Sequence, residues 1–122
     1  MPLMSTDPTH PAGPDLLLVF TTVASRDEAR RLAHALVQRR LVACAQISEI
    51  ESVYEWQGAV AQEPEWRLLL KTEANRYPAL EAAIRELHSY ELPAIVAVPV
   101  SAALPAFADW VVQAVVKPVV EP

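Results

Sequence analysis

Gly58 divides the longest strand-like region of the chain, and no other glycine occurs after Gly13. Residues 43–56 and 59–72 flank the pair Gln57-Gly58. Glycine takes positive φ without strain, so the pair predicts a hairpin turn between two strands. Each arm is about twice the usual strand length. Pro64 lies inside the second arm, where it removes a ladder donor, and so predicts a bulge or a strand edge.

The remaining elements follow from hydrophobic period. Residues 16–22 (LLLVFTT) form an almost wholly apolar run, the pattern of a central strand. Ser25 followed by Glu28 is a capping box, and Ala29, Leu32, Ala33, Leu36 and Val37 then recur at helical spacing. Asp27 and Glu28 complement the positive end of that helix, and Arg39 and Arg40 its negative end. Asn75 is expected to cap a second helix with Pro78 in its first turn and Leu80, Ala83, Ile84 and Leu87 as its buried stripe, stopping at residues 88–90 ahead of Pro93. Residues 94–100 (AIVAVPV) predict a strand. Phe107, Trp110, Val111, Ala114 and Val115 predict a last helix.

The order βαββαβ plus one helix is the α+β, ferredoxin-like plan, with helices on one face of a four-stranded antiparallel sheet. The expected organisation is a disordered tail at 1–14, which holds four prolines and Gly13, one domain over 15–117, and a short tail at 118–122. The long hairpin cannot be covered by its short neighbours. Its free edge and its apolar side chains, Val53, Val60, Trp56 and Trp66 among them, predict a homo-oligomer joined through the hairpin.

Composition narrows the function. The chain has 122 residues, ten of them basic and fifteen acidic, so its formal charge of −5 opposes binding to nucleic acid. No apolar run is long enough to span a bilayer, and the start lacks a signal-peptide pattern, so neither membrane nor export is expected. The single cysteine, Cys44, excludes a disulfide framework and gives a cytoplasmic expectation. There is no P-loop, GxGxxG, GxSxG or HExxH, so an enzyme is not expected.

Ser52-Val53-Tyr54-Glu55-Trp56-Gln57-Gly58, then Glu63 and Glu65, then Leu70-Lys71-Thr72, resembles the signature of the CutA divalent-cation-tolerance family. The likeness extends to Asp27-Glu28-Ala29, Leu41-Val42-Ala43-Cys44, His88-Ser89-Tyr90 with Pro93, Val98-Pro99-Val100, and Trp110. It implies a ferredoxin-like subunit in a homotrimer whose hairpins complete sheets with neighbours. It also implies a role in tolerance of copper or another divalent cation, with no obligatory cofactor, and a likeness to the trimeric PII signalling proteins that bind small effectors between subunits. A structural trimer that binds a partner protein is the third reading. The chain departs from the family's common pattern at Ser89, where proline is frequent, at Ala94, where glutamate is frequent, and at Thr21 and Thr22, near which some members carry cysteine.

The candidate metal ligands are His88, Cys44, Glu63 and Glu65. Cys44 is the one soft ligand, though its neighbours Val42, Ala43 and Ala45 favour a small buried hydrophobe. His88 ends the second helix and serves as a ligand or as a cap to a free carbonyl. Glu63 and Glu65 face one side of a strand, as paired carboxylates or as guards of an edge. His34 reads as solvated, and His10 belongs to the tail. Tyr54, Trp56, Lys71 and Tyr90 are the candidates for an intersubunit cleft, Lys71 first as an ion pair across the interface.

Overall fold

The computed structural model describes residues 13–116. The expectations for the rest of the N-terminal tail with His10, for Lys117 and for the tail at 118–122 lie outside those residues.

Strand β1 (Leu16–Val23) leads to helix α1 (Arg26–Gln38), the hairpin arms β2 (Cys44–Trp56) and β3 (Ala59–Glu73), a 3-10 turn (Ala74–Arg76), helix α2 (Tyr77–Leu87), strand β4 (Ile95–Pro99) and helix α3 (Pro105–Ala114). The sheet is antiparallel in the order β2-β3-β1-β4, as the ferredoxin-like reading requires. Among the described residues, no helix is long and apolar enough to cross a membrane.

Side chains alternate across β1 and β3, and the two faces have different fates. Val19, Val23, Leu68 and Leu70 meet Ala29, Leu32 and Leu36 of α1 and Leu80 and Ile84 of α2 in the main core. Leu16 lies on the opposite face and packs with Ala108 and Val111 of α3 in a second, smaller core. Elsewhere on that face Leu18, Phe20 and Leu69 are half-buried, while Val96 and Val98 are exposed.

The turn is as expected, with both central residues at positive φ, Gln57 at 52° and Gly58 at 82°. This is the type I′ geometry, whose twist matches that of the flanking strands. The register runs unbroken from Cys44↔Lys71 to Trp56↔Ala59, so Pro64 makes no bulge. It lies instead where β3 has lost its second neighbour, since β1 ends at Val23↔Trp66. Seven residue pairs, Ile50↔Glu65 to Trp56↔Ala59, therefore project beyond β1. At about 3.3 Å per residue the overhang is about 23 Å long.

Several local expectations need correction. The Ser25 hydroxyl accepts from the Glu28 N–H at 3.1 Å, but the Glu28 carboxylate turns away from the cap toward Ser89. Asn75 lies in the 3-10 turn, and α2 begins at Tyr77 without a side-chain cap, though with Pro78 in its first turn. Val37 and Leu87 are exposed, as are Phe107 and Trp110, while Ala108, Val111 and Val115 are the buried residues near the last helix. Trp66 is half-buried against the main core and does not belong to the uncovered set.

Candidate functional site

The turn after α2 ties three elements together. His88 caps the helix C-terminus, and its Nε2 stands 2.7 Å from the Thr22 carbonyl oxygen while its Nδ1 stands 3.0 Å from the Tyr90 backbone nitrogen. A carbonyl only accepts and an amide N–H only donates, so the network assigns the proton of a neutral ring to Nε2 and the lone pair to Nδ1. Both nitrogens are thus engaged within the chain. Ser89 supplies two further bonds, donating from its N–H to Glu28 Oε2 at 3.1 Å and from its hydroxyl to Glu28 Oε1 at 3.0 Å.

Tyr90 carries the turn to the hairpin. Its hydroxyl donates to Glu65 Oε2 at 2.9 Å, and Glu65 retains only 8% exposure. Burial first, then this hydrogen bond and the charges of Glu65, Glu63 and Glu28, push the Tyr90 phenol well above its ordinary value. Further out, the Tyr54 hydroxyl donates to Glu63 Oε1 at 2.5 Å, and that bond is the main reason the Tyr54 phenol is also raised. Each carboxylate has one oxygen held by a tyrosine.

The four candidate ligands are therefore divided. His88 and Glu65 both touch Tyr90, Glu63 is close enough to affect it, and Cys44 stands elsewhere. Cys44 pairs with Lys71, six residues along β3 from Glu65, about 20 Å at strand rise. Among the described residues, no group of three or more His, Cys, Asp or Glu is gathered to hold a metal ion within one chain. The cleft candidates divide in the same way. Tyr54 and Tyr90 stand with the carboxylates, Trp56 is 62% exposed beside the hairpin turn, and Lys71 lies with its Nζ 5.4 Å from the Phe107 ring centroid. His34 is exposed. Glu28 was legible only as a helix-capping residue and Ser89 only as a departure from a pattern. Their bond to each other, 61 residues apart, left no local signal.

Residues 17–114 match the family described as CutA1 divalent ion tolerance protein. The divalent-cation tolerance protein CutA of Thermus thermophilus is 40% identical over 94 residues, 76% of this chain and 91% of the relative. The solved structure of CutA from Synechococcus elongatus superposes with a TM-score of 0.83 at 36% identity, covering 85% of this chain and 93% of that one. The periplasmic divalent cation tolerance protein CutA from Archaeoglobus fulgidus gives 0.80 at 30% identity, with coverage of 82% and 98%. None of these relatives is named for an enzymatic activity. The cytoplasmic expectation is overturned, because similar proteins include that periplasmic one and a chloroplastic one from Arabidopsis thaliana, 34% identical over 77% of this chain and 52% of its own length. A lone cysteine tells of an unlinked fold and not of a compartment.

Proposed function

The chain belongs to the CutA1 divalent ion tolerance family, and from that premise we propose that it serves divalent-cation tolerance as a homotrimer that binds copper or another divalent cation near the base of its projecting hairpin. The observation that carries the reading is the pair Glu63 and Glu65, each fixed by a tyrosine hydroxyl on one oxygen and leaving its other oxygen without a hydrogen bond from the described residues. Carboxylate oxygens suit hard divalent cations. Two of them make an incomplete shell, and a neighbouring subunit docked on the overhang would supply the remainder. Val53, Trp56 and Val60, exposed at 62%, 62% and 79%, support that docking, since monomers rarely leave such a strip uncovered.

His88 can join the shell only by giving up its bond to Tyr90 or to Thr22, and Cys44 would hold a separate, softer site. Calorimetric titration with copper(II) tests this on a His10→Ala background. Glu63→Gln with Glu65→Gln should weaken binding about tenfold or more, and Tyr90→Phe should weaken it about tenfold through loss of the outer hydrogen bond. Cys44→Ala should leave copper(II) binding unchanged. Equal affinity in all these variants would remove the hairpin site.

A further inference from the structure

The turn between α2 and β4 is held by side chains. Among the described residues, 89–93 make no backbone–backbone hydrogen bond, and Pro93 has no N–H to give. The two N–H groups that begin the turn are taken up instead by Glu28 Oε2, which accepts from Ser89, and by His88 Nδ1, which accepts from Tyr90. Glu28 adds a second bond by accepting the Ser89 hydroxyl at Oε1. Both of its oxygens thus serve one residue 61 positions away. All of these bonds lie within one chain, so they stand whether or not a neighbouring subunit covers the hairpin.

What the turn positions is Tyr90, whose hydroxyl donates to the nearly buried Glu65 at 2.9 Å and whose ring centroid lies 4.8 Å from that of His88. A phenol carried on a turn without backbone bonds keeps that reach only if the turn is fixed from outside. His88 fixes it to β1 through the Thr22 carbonyl, and Glu28 fixes it to α1 through Ser89. Resting on the cation reading above, we infer that Glu28 is a positioning residue of the Glu63 and Glu65 site: by clamping Ser89 it holds the Tyr90 hydroxyl on one oxygen of Glu65 and leaves the other free for the cation. Glu28 takes no hydrogen bond from Tyr90 itself, so its effect passes through Ser89. Two charge-assisted bonds to one residue make the clamp directional. The exposure of Ser89 and the half-exposure of Glu28 keep its effect modest. Hydrogen bonds that support a ligand directly change metal affinity about 10–100-fold, and the clamp stands one bond further out, so its loss is worth about threefold.

Calorimetric titration of the full chain with copper(II), on the His10→Ala background, tests this. Ser89→Ala removes one bond without changing the charge, Glu28→Gln keeps the length and removes the charge, and Glu28→Asp keeps the charge and shortens the reach. Each should weaken copper(II) binding about threefold, with native mass and circular dichroism unchanged. The decisive comparison repeats Ser89→Ala and Glu28→Gln in Tyr90→Phe, where neither should have a further effect, because the hydroxyl they position is gone. A loss that persists there, or Glu28→Asp binding like wild type while Glu28→Gln does not, would mean that Glu28 acts by its charge and would overturn the inference. Without metal, amide hydrogen exchange at Tyr90 should quicken about threefold in Ser89→Ala, and unchanged exchange would show that the turn is fixed without the clamp. Wild-type affinity in Ser89→Ala and Glu28→Asp, with binding still weakened by Glu63→Gln with Glu65→Gln, sinks the positioning role and leaves the cation reading standing. Unchanged affinity in the paired carboxylate variant removes the cation reading and this one with it.

Discussion

Glu65 is the residue whose environment is least forgiving. It is a nearly buried carboxylate that takes one hydrogen bond from Tyr90 among the described residues, so Tyr90→Phe should cost about 1–3 kcal/mol in urea denaturation near neutral pH. The same tyrosine gives a pH dependence whose sign is fixed. Its phenol holds a proton more tightly in the folded state than the ordinary value of 10.0, so its contribution is complete below about pH 10 and is lost as pH rises from there through the raised folded value. Wild type should therefore lose stability more steeply than Tyr90→Phe as pH rises from about 10 to about 12, and equal slopes there would show that the phenol is not perturbed. Ser89 is a second case of residue chemistry. A proline at this place would have no N–H to give, whereas Ser89 holds Glu28 through both its N–H and its hydroxyl. The departure at Ser89 is, in the structure, a tie between α1 and the turn after α2.

The hairpin and the first helix show what makes an element legible. Gln57-Gly58 has a local demand for positive φ that few residue pairs meet, so the turn could be placed to the residue. Gly58→Val should cost about 1–3 kcal/mol and lower the melting temperature, since its Cβ meets no neighbour and the penalty is conformational alone. A melting temperature equal to wild type would show that the turn relaxes without strain. Ser25→Ala should cost about 1 kcal/mol, because the cap bond to Glu28 N–H is made. Circular dichroism melts measure it, and no change would mean that water replaces the cap. Glu63 and Glu65 were legible as a pair by the strand period of two. Their tyrosine partners were less so, because Tyr54 sits across the hairpin and Tyr90 comes from beyond α2. The separation of Cys44 from His88 was invisible for the same reason: it depends on register and on where α2 ends, and spacing along the chain encodes neither. The exposed Phe107 and Trp110 misled because an apolar period tells that a helix has a face, not which neighbour is there to cover it.

The whole molecule is asymmetric: its core is complete on one side of the sheet and partial on the other, and seven pairs of the hairpin stand clear of both. Native mass spectrometry should show an assembly near three times 13.4 kDa. Trp56→Glu with Val60→Glu should convert it to monomers whose helix content is unchanged, because both side chains are exposed in one chain and contribute nothing to its own core. An intact assembly in that variant would place the subunit contact elsewhere. The sheet order also bears on how the chain acquires its structure. β3 is interior, bounded by a neighbour joined to it through a two-residue turn and by β1, whose pairs run from Val23↔Trp66 to Leu16↔Glu73. The hairpin can zip from its turn with almost no loop to close, whereas docking β1 must close at least the 43 positions from Val23 to Trp66. Folding should thus begin in the segment that projects furthest from the finished core, leaving that sticky ribbon uncovered during the slower search for β1, so the yield of refolding should fall as chain concentration rises.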